Sequence, residues 1–136
     1  SDVYFGEKDF QQLILIKTLV KELKLKVNIN GCKTIREDDG LAMSSRNKLL
    51  NIEERKIAKN IIRLLKKAKQ VYKNSTLEET KSEIVKDAIL IKNLNLEYFE
   101  ILDLSMISDF LDEGEEIRAF IACKVGKIRL IDNIII

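Results

Sequence analysis

Between Asp2 and Gly31 the chain changes hydrophobic period twice, and this limits its fold more than any other feature. Val3-Tyr4-Phe5 is an apolar run that reads as a short buried strand and stops at Gly6. From Asp9 onward, Phe10, Leu13, Ile14, Ile16, Leu19, Val20 and Leu23 follow a helical stripe, with Lys17, Lys21, Glu22 and Lys24 largely on the other side. Lys26-Val27-Asn28-Ile29-Asn30 then alternates as a strand does, and Gly31 is expected to end it. Strand, helix and strand at this spacing predict a βαβ unit, its strands parallel and joined by a right-handed crossover. One such unit cannot cover both faces of its own strands, so it is expected to need neighbours in a larger α/β sheet.

Beyond this point the patterning changes. Residues 32–46 have no clean period and contain Glu37-Asp38-Asp39-Gly40, a turn signature. Asn51 with Glu54, and Thr76 with Glu79, have capping-box spacing and open two amphipathic helices. The first carries Ile57, Ile61, Leu64, Leu65, Ala68 and Tyr72, and the second Leu77, Ile84, Val85, Ala88 and Ile91. Tyr98 to Leu104, Arg118 to Val125 and Lys127 to Asn133 read as strands, with Val125-Gly126-Lys127 as a hairpin turn and the acidic stretch 109–116 as a loop. The fold class is therefore α/β plus α+β. Residues 1–46 read as part of an α/β sheet, a partial Rossmann-like βαβ unit, and residues 47–136 as a small domain of helices packed on a three-stranded antiparallel sheet.

Composition removes several classes of function. With no histidine among 136 residues, a histidine general base, a Ser-His-Asp triad and an HExxH zinc site are all excluded within this chain. The 24 basic and 22 acidic residues nearly balance, which argues against a nucleic-acid tail. No apolar run approaches membrane-helix length, no signal-peptide pattern is present, and the two cysteines lack metal or CxxC spacing. The expectation is a reduced, cytoplasmic protein without membrane or nucleic-acid partners, with Cys32 and Cys123 as small core residues.

Two segments carry candidate chemistry. Gly6-Glu7-Lys8-Asp9 sits where a parallel strand meets a helix, the usual ligand edge of such sheets. Gly6 allows close backbone approach, Lys8 suits phosphate, and Asp9 either caps the helix or accepts from sugar hydroxyls. Gln11 and Gln12 could orient a polar substrate. The second segment is Asp39 to Asn47, where Ser44, Ser45 and Arg46 make a phosphate clamp or, alternatively, part of an interdomain loop with capping serines. Glu37-Asp38-Asp39 reads as a solvated turn rather than a Mg²⁺ site, because three consecutive acids do not easily converge. The basic residues Arg55, Lys56, Lys59, Arg63, Lys66, Lys67, Lys69 and Lys73 read as the solvated face of an amphipathic helix.

YFGEKDFQQL and TIREDDGLAMSSRN, in this order, strongly resemble the pantothenate synthetase (pantoate–β-alanine ligase) family, and RLIDN at Arg129–Asn133 resembles its final strand. The resemblance runs through the whole chain and covers the carboxyl-terminal half of an enzyme about twice this length. It implies an AMP-forming ligase in which pantoate attacks the α-phosphate of ATP and β-alanine then displaces AMP from pantoyl adenylate. ATP enters as a substrate and Mg²⁺ through its phosphates, with no metal held by protein side chains. By the same resemblance Lys8, Ser44, Ser45 and Arg46 are catalytic. Gly6 and Asp9 hold ribose, Ile35 and Met43 line the adenine region, and Gln12 holds pantoate. Met43-Ser44-Ser45-Arg46 is similar to the KMSKS-type loop of nucleotidyltransferases, with serine for the first lysine.

The family also uses an HxGH motif, which a chain without histidine cannot supply. The expectation is a truncated or proteolysed fragment that is inactive alone. It carries half an ATP site, a carboxyl-terminal lid and a hinge at residues 44–50. The intact family is dimeric, and the fragment's own assembly is open. Two other readings stand beside this one: a non-catalytic, independently folding lid module, and an RNA-binding domain that rests on the basic helix alone.

Overall fold

The computed structural model describes residues 1–136 and divides into two compact units, Ser1–Ile35 and Arg36–Ile136. In the first, strand β1 (Asp2–Gly6) passes through a 3-10 turn (Glu7–Asp9) into helix α1 (Phe10–Glu22), followed by strand β2 (Asn28–Cys32). The two strands are parallel, with Val3 beside Ile29 and Phe5 beside Gly31, so the βαβ reading is correct. The second strand starts two residues later than expected and runs through Gly31. The reason lies at the end of α1. Lys24 adopts φ 51, while the amides of Lys24 and Leu25 bond back to the carbonyls of Lys21 and Val20 at 3.2 and 3.0 Å. This double bond pattern is a Schellman stop, which uses up the residues that would otherwise have begun the strand.

Within this unit only Phe10 and Leu13 are buried, and Gly31 lets the helix close on the strand. A β-carbon at Gly31 would lie 3.2 Å from Leu13 Cδ2. Val3, Tyr4, Leu15, Leu19, Leu23 and Leu25 are exposed. The expected burial of β1 is therefore not achieved inside the unit. One helix covers one face of a two-stranded sheet, and the apolar residues of the other faces stay uncovered by it.

The second unit begins with a tight reversal. Arg36 bridges Ala42 in antiparallel fashion, the Glu37 amide donates to Leu41 O at 2.9 Å, and Gly40 turns the chain at φ 87. A 3-10 turn (Ser45–Leu49) leads to helices α2 (Ile52–Ala58), α3 (Asn60–Tyr72) and α4 (Leu77–Leu90). Strands β3 (Leu94–Asp103), β4 (Ile117–Val125) and β5 (Ile128–Ile135) form an antiparallel sheet in that order, and a second 3-10 segment (Ser105–Phe110) joins β3 to β4. Both capping boxes are complete, with the Asn51 and Thr76 side chains accepting from the amides of Glu54 and Glu79.

The single helix expected from Asn51 is divided at Lys59. There the Asn60 side-chain amide donates to Ile57 O at 2.9 Å, a local bond that competes with the helix ladder. The two-residue hairpin turn is as expected: Gly126 has φ 58, the sign required at the first position of a type II′ turn. Ile61, Leu65, Ile84, Phe99, Ile121 and Val125 are fully buried between the helices and the sheet. Each such side chain contributes about 1.5–3 kcal/mol relative to exposure.

The compact units part at Ile35/Arg36, ahead of the boundary read after Arg46 and of the segment 44–50 expected to be the hinge. Residues 36–47 are held by the second unit. Leu41 and Ala42 are buried, and Arg36 grips β5 by a two-pronged pair with Asp132, at 2.6 and 3.0 Å. A period-free stretch shows no such long-range partner in the sequence.

Candidate functional site

In the first unit the predicted residues gather at the carboxyl end of β1. Gly6 has ordinary extended angles (φ −71, ψ 134), and a β-carbon there would meet nothing within 4 Å. Neither conformation nor packing inside the unit therefore calls for glycine at this position. Lys8 is half-buried in the 3-10 turn. Asp9 precedes α1, but its carboxylate makes no capping bond, so the simple helix-cap reading is not realised. The chain enters α1 through the 3-10 turn, with Asp9 at φ −91 and ψ 57 rather than in the extended geometry usual for a side-chain cap. Gln12 is exposed in the first turn of α1, and Ile35 is exposed at the end of the unit. Cys32 is also exposed, against the core reading, because β2 ends there beyond the cover of α1.

In the second unit Met43, Ser44, Ser45 and Arg46 are contiguous and lead into the 3-10 turn. Ser44 Oγ accepts from the Arg46 amide at 3.2 Å, and Ser45 and Arg46 are exposed. Arg46 Nη1 donates to the Arg129 carbonyl at 3.0 Å, which lays the guanidinium against the β4–β5 hairpin. Met43 is exposed. Two hydroxyls and a guanidinium on one short turn can donate several hydrogen bonds to an oxyanion.

This turn has a frame that sequence reasoning missed. The buried Asn47 side chain donates to Glu37 Oε1 at 2.8 Å and to the Ala42 carbonyl at 3.0 Å. Arg55 pairs with Glu37 Oε2, and its Nε and Nη2 both reach Asp39 Oδ2 at 3.1 Å. Glu37 and Asp39 thus belong to a half-buried ion cluster rather than a solvated turn. Asp38 between them stays exposed, since alternate residues of the reversal point to opposite sides.

The hydrogen bond from Arg55, followed by that from Asn47, holds the Glu37 carboxyl below its ordinary range. Burial pushes Asp39 up, but the Leu41 amide and Arg55 together outweigh it and leave it lowered. On the other side of the reversal, Arg36 holds buried Asp132, while buried Arg118 donates to Asn133 Oδ1 at 2.7 Å. An acid and an amide inside the aliphatic run Ile128–Ile136 were the one available signal, since such groups are buried only with partners.

Other parts of the surface are separate from these residues. An open cleft of about 640 Å³ lies between α2, the end of α4 and the start of β3, lined among others by Asn51, Glu54, Lys92, Asn95 and Lys124. None of the predicted site residues lines it. Several cations of the basic helices are paired: Lys67 with Glu83 and Asp87, Lys56 with Glu53, and Arg55 with the reversal. No helix is long and apolar enough to cross a membrane.

The chain thus combines a Rossmann-like βαβ unit with an α+β unit, each carrying one of the two candidate turns. The sequence model of the pantoate-beta-alanine ligase family matches residues 1–135, and the chain belongs to that family. It is 43% identical over 137 residues to the pantothenate synthetase of Bacteroides thetaiotaomicron, covering 96% of this chain and 47% of that protein. The Sulfurihydrogenibium enzyme of the same name is 41% identical, with 98% and 49% covered.

Among solved structures, pantothenate synthetase from Thermus thermophilus superposes with a TM-score of 0.85 at 32% identity, over 98% of this chain and 49% of that one. Pantoate-beta-alanine ligase from Francisella tularensis, crystallised with beta-gamma ATP and beta-alanine, gives 0.66 at 34% identity, over 98% and 43%. The chain spans about half the length of the relatives it matches.

Proposed function

We propose that this chain is the carboxyl-terminal portion of a pantothenate synthetase, the ATP-dependent ligase that joins pantoate to β-alanine through pantoyl adenylate. The observation that carries the reading is the family match over residues 1–135, which includes both candidate turns. The Francisella relative, bound to an ATP species and β-alanine, supports the substrate class.

In the reaction, a pantoate carboxylate oxygen bonds to the α-phosphorus of ATP and pyrophosphate leaves. The β-alanine amine then attacks the acyl carbon, AMP leaves with the bonding electrons, and the amine gives up a proton. No protein nucleophile is required, so catalysis is positioning and stabilisation of phosphate charge.

Lys8, Ser44, Ser45 and Arg46 are assigned to phosphate. Gly6 and Asp9 are assigned to ribose, Ile35 and Met43 to the adenine region, and Gln12 to pantoate. The lack of any packing need for glycine at residue 6 supports a close ligand approach there. The uncapped Asp9 carboxylate is likewise suited to sugar hydroxyls. Mg²⁺ is assigned to the phosphates of ATP. Residues 47–136 are assigned to the lid domain, and dimerisation belongs to the complete ligase. With no histidine for an HxGH motif, these residues alone are expected to release no AMP from ATP, pantoate and β-alanine.

Titrating Mg·ATP into the isotopically labelled chain tests the nucleotide site. Amide shifts at Gly6, Lys8 and Ser44–Arg46 are expected, weakened about tenfold or more in apparent affinity by Lys8→Ala or Arg46→Ala. No shift at these positions would remove the nucleotide reading and leave a non-catalytic module. Shifts confined to residues 56–73, and only with RNA, would favour a nucleic-acid partner instead.

A further inference from the structure

We propose that Arg55 is a positioning residue for the Met43–Arg46 segment, holding it ready for phosphate through Glu37, Asp39 and Asn47. The inference rests on the assignment of Ser44, Ser45 and Arg46 to phosphate and deepens it. Arg55 bonds to Glu37 and Asp39, one guanidinium joining carboxylates on the same side of the reversal. Glu37 passes the constraint on by accepting from Asn47, whose own amide donates to Ser44 O at 3.1 Å. Asp39 passes it along the other arm, accepting from the Leu41 amide at 3.1 Å beneath the Gly40 turn. The path from α2 to the hydroxyl-bearing turn is thus a short chain of hydrogen bonds.

The chemistry requires a fork. A lysine ammonium is a point charge and cannot present Nε and Nη2 to two carboxylates at fixed spacing. Without Arg55, Glu37 and Asp39 face each other as like charges offset only by Lys59 Nζ, 3.9 Å from Asp39 Oδ2, and the reversal loosens from its outer side. Arg36 grips the opposite side, but its partner Asp132 is buried. Removing Arg36 would leave a buried charge unpaired and destabilise the whole unit. Arg55 is only partly buried and lies outside the segment it holds, and alanine is a good helix former in its place.

The test uses the labelled chain with Arg55→Ala and Arg55→Lys, and it reads amide exchange, melting and the Mg·ATP response. In Arg55→Ala, exchange at Gly40, Leu41 and Asn47 is expected to speed by about three- to tenfold. Amides of β4 and α3 should be unchanged, and half-saturation by Mg·ATP at Ser44–Arg46 should rise by a similar factor. Arg55→Lys keeps the charge and should restore only part of both effects. Glu37→Gln, which keeps a partner for Asn47 and removes the charge, replaces Arg55→Ala if the latter also opens β4.

Unchanged exchange in the reversal overturns the inference. Faster exchange with an unaltered Mg·ATP response also overturns it, since the frame would then be structural only. A wild-type chain that gives no Mg·ATP response removes the nucleotide assignment instead, and exchange alone then decides whether Arg55 holds the segment.

Discussion

Cys123 and Cys32 show how environment decides the chemistry of one side chain. Cys123 has no exposed surface in β4, and desolvation, with a smaller contribution from Glu97, pushes its thiol up to about 12. Cys32 ends β2 in the open. A thiol reagent at pH 8 is expected to modify Cys32 in the native chain and Cys123 only after unfolding, because the thiolate is the reactive form. Mass spectrometry of the labelled peptides checks this, and native labelling of Cys123 would contradict its burial. The sequence could not separate the two cysteines. Each is followed by a lysine (Lys33, Lys124), so the immediate neighbours say little, and the cover supplied by other elements makes the difference.

At the scale of elements, α2 and α4 depend on side-chain caps and α1 does not. Asn51→Ala and Thr76→Ala each remove the side-chain acceptor of the third helical amide and leave only the reciprocal bond from the cap's backbone amide to Glu54 or Glu79. Each is expected to cost about 1 kcal/mol in urea unfolding. Asp9→Ala removes no capping bond and should leave α1 unchanged by carbon chemical shifts. A loss of α1 helicity in that variant would count against the 3-10 entry geometry. The two capping boxes were legible because the whole motif lies within four residues. The division between α2 and α3 was not, since it depends on one Asn60 side chain choosing a backbone acceptor over solvent.

For the whole molecule, the buried core cluster lies entirely in the second unit, from Leu41 to Leu130. The first unit is a two-stranded sheet under one helix, an assembly of marginal independent stability. Native-state exchange should therefore show Ile61, Leu65 and Ile121 opening only with global unfolding. Amides of β1 and β2 should exchange at least about tenfold faster. Residues 36–136 made alone are expected to fold, with the same protected amides; an unfolded spectrum for that segment would refute the division.

Legible in the residues alone were the βαβ unit, both capping boxes and the three-stranded sheet with its Gly126 turn. Each of these is written in periodicity or in spacings of a few residues, where the chain's own geometry sets which side chains meet. Folding in three dimensions was needed to place residues 36–47 in the second unit, to set Glu37 and Asp39 against Arg55, and to set Asp132 against Arg36. Those pairs join residues 16 to 96 positions apart, and a charge in a sequence does not reveal which distant charge will neutralise it until packing has brought the two out of water together.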